Sequence, residues 1–508
     1  MQSFSACDIL YALNHGDSMS FTFDGVVIRK TLSKEIRERL VSDVFDKADP
    51  KTGVISVYKR VTYYDPNRRF NVYVASRKLG ERDPLTKEVK AGIRKLYRKD
   101  RSNDLPTVLV DKAETHLSDS RQQAKVVYAL APCVEIFITA AMGGHFGPKY
   151  AANYWLQHID FYKKRWPTDI PSTAPSISCT NRLLRTINPD EFQSLMQEFV
   201  LPLLPGSDGS NGKRDVVAVD GQAVRASTNK EGRHHQFLSF FSTDTGIAFA
   251  QVRIDDKSNE IPAALALAKK LDLHGSIVTG DAMHCQREFV ETLMTQCGAD
   301  YLIALKNNQN KLMAKTKELF RTVPVDLHGS TTEKGHGREE VREVFILPGS
   351  LLPKAIRDLW FGLETGIIIK QVNRRTVIHG KNDREPTTVA ERYFISSLQP
   401  SEKGVVDTVQ RTVRSHWGIE NSLHHILDVD YGQDGCQMRN ANVISNVALI
   451  NKIALAATEF GRRKLAASSG AKREITLNEV KHSLQNNPQL ATQFLEDFLR
   501  AGEVQAIS

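Results

Sequence analysis

Two aspartates each close an apolar, strand-like segment of the chain. Asp220 follows residues 216–219 and precedes Gly221, and Asp281 follows residues 276–280. An unpaired charge is costly to bury and aspartate is uncommon inside strands, so each acid is expected where its strand leaves the core. A single acid in this position is most often an ordinary turn residue. The second copy favours a site in which two neighbouring strands bring both carboxylates to one edge of a sheet.

A third acid, Glu420, lies in a segment that also contains a tryptophan and several histidines. Residues three and four apart share one face of a helix. Trp417, Glu420 and His424 are therefore predicted to lie together, with His416 on the same side. An acid on a helix face that docks on a sheet favours a metal site, and the alternative is a surface helix anchored by Trp417.

The three acids together predict a metal centre. Hard divalent cations prefer oxygen ligands, and Mg²⁺ takes one or two carboxylates together with waters and substrate phosphates. Two ions about 4 Å apart can activate a nucleophile on one side and stabilise a leaving oxygen on the other. In that arrangement Asp220 bridges both ions, and Asp281 and Glu420 each bind mainly one. Positioning and charge neutralisation then carry most of the reaction.

The elements predicted around the two aspartates form an α/β pattern. Turn residues at 244–246 indicate a hairpin, so the first strands are expected to be antiparallel. The next strands alternate with helices, which is typical of parallel strands. Three antiparallel strands followed by parallel ones are the layout of an RNase H-like fold. The predicted strands are residues 216–220, 235–242, 247–254, 276–280 and 301–305, and the predicted helices are residues 261–271 and 286–297.

Changes in composition and periodicity divide the rest of the chain. An N-terminal extension, β-rich or α+β, precedes a helical domain that resembles a helix-turn-helix. The RNase H-like catalytic core is interrupted by a β-rich insertion and completed by a helix over residues 405–425, which carries Glu420. The predicted boundaries are 1–112 for the extension, 113–204 for the helical domain, 213–322 and 401–460 for the two parts of the core, 323–400 for the insertion and 461–508 for a helical tail.

Basic residues exceed acidic ones, which suits a polyanionic partner such as double-stranded DNA. The 508 residues contain 68 Lys and Arg against 59 Asp and Glu, a formal net charge of +9. A solvated helix face is an alternative explanation for a basic cluster. The candidate contacts with nucleic acid are Arg94, Lys95, Arg98 and Lys99 in the extension, Arg182 and Arg185 in the helical domain, Arg338 in a glycine-flanked turn, and His416.

Other features of the sequence exclude several classes of protein. The six cysteines are scattered without a CxxC pair, so neither a zinc ribbon nor a disulfide framework is expected. The first residues lack a basic segment followed by an apolar run, so no signal peptide is predicted. The most apolar window, residues 126–142, contains Pro132 and Glu135 and is interpreted as a buried helix, not a membrane span. A reducing intracellular compartment fits this pattern.

Four motifs taken together resemble one family. They are VAVDG at 217–221, TGDAMH at 279–284, GHGR at 335–338 and HWGIEN at 416–421. The set is similar to the ISAs-type, H-repeat-associated transposases of bacterial insertion sequences, which are DDE transposases with an RNase H-like core. The resemblance extends from about residue 118 to about residue 457, two thirds of the chain.

The resemblance implies that Asp220, Asp281 and Glu420 are the DDE triad. It implies cleavage at transposon ends and strand transfer by the liberated 3′ hydroxyl, in Mg²⁺ or Mn²⁺ with two ions. The implied partners are terminal inverted repeats and target DNA, bound by a homodimer in the bacterial cytoplasm at the nucleoid, with no membrane. A Tyr-x2-Arg-x3-Glu-x6-Lys signature of related enzymes is absent, because its other positions hold Val413, His416 and Leu427.

Three further residues are candidates to support the metal ligands. His284 lies three residues after Asp281. It could support a metal ligand, contact the scissile phosphate or serve only as a structural histidine. Trp417 and His424 flank Glu420. Two functions compete with a transposase: an RNase H-like nuclease that cuts DNA without joining it, and a domesticated DNA-binding protein. Only a transposase yields joined target DNA, and the presence of all three acids argues against a decayed copy.

Overall fold

The computed structural model describes most of the chain after residue 107 and separate strands before it. Described are residues 108–507 except 123–124, 145–146, 168, 206–213, 230, 255–258, 336, 379–385 and 470–474, together with six strands between residues 21 and 91. The chain divides into two compact units, Met1–Leu105 and Pro106–Ser508. The division falls a few residues before the boundary predicted between residues 112 and 113.

The first unit contains antiparallel β-structure. β1 (Phe21–Phe23) pairs with β2 (Val26–Ile28). A four-stranded sheet follows in chain order, made of β3 (Leu40–Ala48), β4 (Ile55–Asp65), β5 (Phe70–Arg82) and β6 (Val89–Ala91). β5 begins in a stretch of alternating polar and apolar residues, the pattern of a strand with two different faces. The predicted DNA contacts Arg94, Lys95, Arg98 and Lys99 lie outside the described residues.

The second unit is built around one nine-stranded sheet. Its strands are β7 (Val216–Thr228), β8 (His234–Ser242), β9 (Ile247–Ile254), β10 (Ile277–Gly280), β11 (Asp300–Leu305), β12 (Leu327–Gly335), β13 (Arg338–Pro348), β14 (Ile367–Val377) and β15 (Thr388–Ser396). Their order across the sheet is β12-β13-β14-β15-β11-β10-β7-β8-β9. β7, β8 and β9 form an antiparallel meander, and β10 lies parallel between β7 and β11. The three antiparallel and two parallel strands predicted from the sequence are confirmed.

The segment predicted as a β-rich insertion continues the core sheet. β15 pairs antiparallel with β11, and β14, β13 and β12 follow as successive neighbours. The first residues of β14 and the last residues of β15 are apolar and buried. Burial of this apolar surface favours pairing of β15 with β11, so the sheet extends beyond β11. The outermost strand, β12, does not follow from hydrophobic periodicity because its sequence is polar and its side chains are mostly exposed.

Helices form the segment before the sheet, connect its strands and close the chain. They are α1 (Val108–His116), α2 (Leu130–Met142), α3 (Pro148–Gln157), α4 (Ile159–Arg165), α5 (Ile177–Thr186), α6 (Pro189–Val200), α7 (Glu260–Ala268), α8 (Arg287–Thr295), α9 (Asn310–Thr322), α10 (Lys354–Arg357), α11 (Val405–Ser415), α12 (Trp417–Ile419), α13 (His425–Val429), α14 (Ala441–Ser469), α15 (Leu477–Asn486) and α16 (Pro488–Ile507). The long α14 packs against α2 and β9, and α16 packs against α6 and α14. The end of the chain therefore packs on the helical segment.

The apolar window at residues 126–142 contains α2, in which every residue is buried. The helix begins at Leu130, so Pro132 lies in the first turn, where a missing N–H removes no intrahelical hydrogen bond. Glu135 of this helix pairs with Arg165, whose Nε lies 2.8 Å from Glu135 Oε1. Glu496 of α16 faces the same guanidinium at 3.7 Å, so a buried charged group joins three helices.

α14 contains the one stretch in the described part of the chain that is long and apolar enough to cross a membrane. Within residues 441–467 an 18-residue window has a mean hydropathy of 1.3, and 89% of that window is buried inside the molecule. Burial of this extent is typical of a core helix.

Candidate active site

Asp220 and Asp281 lie beside each other on neighbouring strands. β7 and β10 pair in parallel with Val219 opposite Gly280, so Asp220 on β7 and Asp281, the first residue after β10, come next to each other. Neighbouring strands are about 4.8 Å apart. β7 does not end at Asp220, as the sequence predicted, but continues to Thr228 beside β8. Asp220 reaches solvent because β10 ends first and leaves that side of β7 open.

The two carboxylates have different electrostatic environments. Burial raises the pKa of Asp220 to about 7, and the negative charges of Asp281 and Glu260 add to this effect. The nearby His416 ring holds the pKa of Asp281 below its usual value, with help from Lys306. Within the described part of the chain, no Lys or Arg forms an ion pair with either aspartate. The pair is therefore an acidic site in which one group titrates near neutral pH.

The helical segment that follows the sheet crosses both aspartates. His416 Nε2 lies 3.6 Å from Asp281 Oδ1, and His424 Nδ1 lies 3.5 Å from Asp220 Oδ2. Burial lowers the pKa of His424 to about 3, so this ring is neutral and has one N–H to offer the carboxylate. His424, predicted to support the metal ligands, therefore faces Asp220, and His416, predicted to contact nucleic acid, faces Asp281.

Glu420 does not join the two aspartates. Its side chain is exposed and forms no hydrogen bond or ion pair with them among the described residues. The helix predicted over residues 405–425 is interrupted, because α11 ends at Ser415 and a π turn occupies Glu420–His424. The segment is therefore not the single α-helix that was predicted, and the exposed Glu420 side chain does not share the contacts that His416 and His424 make with the aspartates.

The acids do not form a three-carboxylate cluster in this conformation. No group of three or more His, Cys, Asp or Glu side chains within the described ranges is arranged to hold a metal ion. Asp220 and Asp281 nevertheless offer carboxylate oxygens side by side, which are the donors that Mg²⁺ and Mn²⁺ prefer. The residues that could hold a cation are therefore these two, with Glu420 only after its side chain turns toward them.

Trp417 and His284, the other two residues predicted to support the metal ligands, have different surroundings. The Trp417 side chain is partly exposed, and the Arg392 guanidinium carbon lies 4.8 Å from its ring centroid. His284 is only 1% exposed, and its ring packs against Gly280. Its Nε2 lies 3.8 Å from Glu260 Oε2. Burial lowers the pKa of His284 to about 4, so the ring that separates β10 from Glu260 is neutral.

Glu260 is an acid of this region that the sequence did not single out. It occupies the first turn of α7, directly after Asn259, which caps the helix. Its carboxylate lies against Gly221, where a Cβ on residue 221 would be 2.5 Å from Glu260 Cδ. Burial raises the pKa of Glu260, and the charge of Asp281 adds to this. Acids are common at helix starts because of the helix dipole, so sequence position alone does not connect Glu260 with the aspartates.

Lys452 of α14 is buried beneath the meander. Its Nζ donates hydrogen bonds to Ser239 Oγ at 2.7 Å and to Gln251 Oε1 at 2.6 Å. Ser239 is the residue of β8 that pairs with Asp220. Burial lowers the pKa of Lys452 to about 7. The buried lysine therefore anchors the strand that pairs with Asp220.

The other predicted nucleic-acid contacts lie on different elements. Arg182 and Arg185 are exposed on α5. Arg338 lies at the turn between β12 and β13 and pairs with Glu340, with Nε 2.7 Å from Oε1. Four strand spacings separate β13 from β10, a distance of about 19 Å. Arg338 is therefore remote from the two aspartates, and contact between these arginines and DNA stays a prediction.

Comparison with known proteins finds a matching family and several relatives. Residues 211–457 match the family described as transposase DDE domain, and residues 115–200 match the one described as DDE_Tnp_1-associated. The chain is 31% identical to the "H repeat-associated putative transposase YhhI" of Escherichia coli K12 and 32% identical to YbfL of the same strain. Each alignment spans 355 residues, 68% of this chain and 89% of the relative. A piggyBac transposase synaptic complex with hairpin DNA aligns at 12% identity over 78% of this chain and 79% of that chain, with a TM-score of 0.33, too low to support a structural argument.

Proposed function

Because this chain belongs to the DDE transposase family, we propose that it cleaves DNA at the ends of an insertion sequence and joins the freed 3′ ends to target DNA. In this proposal Asp220, Asp281 and Glu420 are the catalytic acids, and β7 to β11 form an RNase H-like core. The observation that carries the proposal is the adjacency of Asp220 and Asp281 where β10 ends beside β7.

Two neighbouring carboxylates repel each other, and the partial burial of one increases the cost. A divalent cation relieves both effects, because its positive charge offsets the negative charges of the two carboxylates. Among the described residues Asp220 and Asp281 face only histidines and form no ion pair with Lys or Arg, which supports a cation site.

Mg²⁺ or Mn²⁺ fits the donor set, which consists of carboxylate oxygens with imidazole rings next to them. Two such ions, when bound, supply Lewis acidity at the scissile phosphate and at the attacking hydroxyl. The chain itself orients the carboxylates: His424 faces Asp220 at 3.5 Å and His416 faces Asp281 at 3.6 Å. Glu420 completes the set when its exposed side chain turns toward the pair.

Double-stranded DNA is the proposed substrate, both as terminal inverted repeat and as target. The net charge of +9 favours association with a polyanion. Arg182 and Arg185, exposed on α5, are the proposed contacts with the DNA ends. Action as a homodimer on paired ends, in the bacterial cytoplasm at the nucleoid, completes the proposal.

Asp220→Asn, compared with Asp215→Asn, tests the proposal. Asp215 directly precedes the same strand, five residues before Asp220, and is buried. The assay uses a labelled duplex made from the DNA that flanks the gene, with Mn²⁺ and a target plasmid. Wild type and Asp215→Asn should nick and join this duplex, whereas Asp220→Asn should do neither and still bind it. Undiminished cleavage by Asp220→Asn refutes the assignment.

The products of the same assay separate the competing functions. Joined target DNA is the product of a transposase alone. Cleaved but unjoined DNA from the wild-type protein indicates a nuclease, and DNA binding without either product indicates a domesticated DNA-binding protein.

A further inference from the structure

We propose that Glu260 is a further carboxylate of the metal site and binds the cation together with Asp220 and Asp281. The inference rests on the proposed function, because it adds a residue to the same site. Glu260 lies outside the four sequence motifs and outside the triad that ends with Glu420. Its assignment comes from its packing, from its charge and from an unpartnered histidine beside it.

Glu260 is held against the backbone of Gly221, the residue that follows Asp220. The carboxylate occupies the space that a Cβ on residue 221 would fill, 2.7 Å from Oε2 and 2.5 Å from Cδ. Gly221 does not have a positive φ, so its backbone conformation does not require glycine. The close approach of the Glu260 carboxylate, however, requires a glycine at position 221, because any side chain there would collide with it. The glycine after Asp220 therefore keeps a place for a second acid.

Glu260 and the two aspartates also share one electrostatic environment. Burial, and then the charge of Asp281, raises the pKa of Glu260. The charge of Glu260 in turn helps to raise the pKa of Asp220, an effect in which burial is the largest cause. Each of the three carboxylates therefore influences the charge of another, although as they stand the described residues form no three-ligand group. No Lys or Arg of the described residues pairs with Glu260.

His284 gives an independent indication of a ligand. It is 1% exposed, and neither ring nitrogen has a hydrogen-bond partner among the described residues. Its Nε2 faces Glu260 Oε2 at 3.8 Å, which is too long for a hydrogen bond. A buried polar group without a partner is unfavourable, and a hydrated cation between the acids supplies one. The histidine is therefore placed where it stabilises a ligand of Glu260.

The three carboxylates approach ligand distance by side-chain rotation. The described residues do not form a three-ligand cluster as they stand. Asp281 is 57% exposed and has room to turn toward Glu260. Glu260 begins a capped helix, whose dipole favours its negative charge. Binding of a divalent cation would draw these groups together and leave Glu420 free to join last.

The role of Glu260 is tested by calorimetric titration of the full-length protein with Mn²⁺ alone. Glu260→Gln keeps the size of the side chain and removes its charge, so Mn²⁺ binding should weaken at least tenfold. Glu339→Gln is the control, because Glu339 is 21% exposed against 20% for Glu260 but lies on β13. The control should bind Mn²⁺ as wild type does, and Asp220→Asn should lose binding.

The outcomes distinguish this inference from the proposed function. Wild-type Mn²⁺ affinity in Glu260→Gln, together with lost binding in Asp220→Asn, overturns the role of Glu260 and leaves the proposed metal site in place. If Asp220→Asn binds Mn²⁺ as tightly as wild type, the proposed metal site fails and the role of Glu260 fails with it.

A second test moves Glu260 without removing its charge. Gly221→Ala places a methyl group in the space of the carboxylate and should weaken Mn²⁺ binding about as much as Glu260→Gln. In a Glu260→Ala background the methyl group meets no carboxylate, so the same substitution should have no further effect on the affinity. Such non-additivity is expected of residues in contact. Additive losses, or a Gly221→Ala protein with unchanged affinity, overturn the proposal.

Discussion

Replacing Asp220 by asparagine should stabilise the protein while it abolishes the proposed activity. Burial raises the pKa of this carboxyl from 3.8 to about 7. Between these values the folded state holds a proton that the unfolded state has released, so stability falls as the pH rises through this window. The full cost remains above pH 7. At about 1.36 kcal/mol per pKa unit, the free energy of unfolding is lowered by at most about 4 kcal/mol.

Thermal unfolding in EDTA measures this cost. The entropy of unfolding is about 2.1 cal/mol/K per residue, which gives about 0.85 kcal/mol/K for the roughly 400 residues of the second compact unit. Asp220→Asn should therefore raise Tm by about 5 °C at pH 8. At pH 5 most wild-type molecules are protonated at Asp220, and the rise should be only about 2 °C. A variant that melts at or below the wild-type temperature at pH 8 refutes the reasoning.

Asp215→Asn is the matched control for the same experiment. Burial raises the pKa of Asp215 to about 6, so this substitution should also stabilise the protein in EDTA, by about 3 kcal/mol. The two variants should differ when Mn²⁺ is added. A ligand at 100 times its Kd stabilises the folded state by about 2.7 kcal/mol, an effect that Asp215→Asn should keep and Asp220→Asn should lose.

Three further predictions concern other parts of the molecule. Burial lowers the pKa of Lys452 to about 7, so between this pH and 10.5 the folded protein binds fewer protons than the unfolded chain, and its stability rises with pH. Urea titrations at pH 7 and pH 10 should show no such rise in Lys452→Met. A rise as steep as that of the wild-type protein would contradict the prediction. Arg165→Leu leaves Glu135 and Glu496 without their buried cation and should lower the free energy of unfolding by about 3–5 kcal/mol, seen as a lower Tm, so an unchanged Tm argues against the buried charged group. Double replacement of Arg182 and Arg185 by alanine should make the dependence of log Kd for DNA on log salt shallower by about 2, and an equal slope would exclude these arginines as phosphate contacts.

The position of the two aspartates could be predicted because it depends on local hydrophobic runs. Residues 216–219 and 277–280 are buried on both faces, and such runs are typical of central strands in an α/β sheet. The continuation of β7 to Thr228 was not predicted, because polar residues such as Gln222 enter a strand when a long partner such as β8 is available. The end of the strand is thus set by pairing, which hydrophobic periodicity does not describe.

The orientation of Glu420 and the role of Glu260 depend on tertiary contacts that periodicity does not contain. Helical spacing assumes an uninterrupted α-helix, whereas the segment after α11 packs close to the sheet, where a Cβ on residue 418 would lie 3.7 Å from Thr243 Cγ2. Glu260 lies forty positions after Asp220 in the sequence, and its carboxylate reaches Gly221 because α7 packs back against β9. A glycine that follows an acid is the single sequence signal that could have indicated a close neighbour.

Because of the π turn at Glu420–His424, the direction of the Glu420 side chain depends on the rotation of the helix before the turn relative to the helix after it. A residue advances an α-helix by about 100°, so one additional residue in a turn rotates everything before it by that angle relative to everything after it. His424 follows the turn and stays against Asp220, which fixes the downstream phase. Shifting the extra residue toward the N-terminus would therefore swing Glu420 by about a quarter of a circle with the helix still hydrogen-bonded. The direction of the Glu420 side chain thus depends on where the extra residue of the π turn lies. Deleting one residue within the turn would remove the extra residue and hold Glu420 in a single orientation.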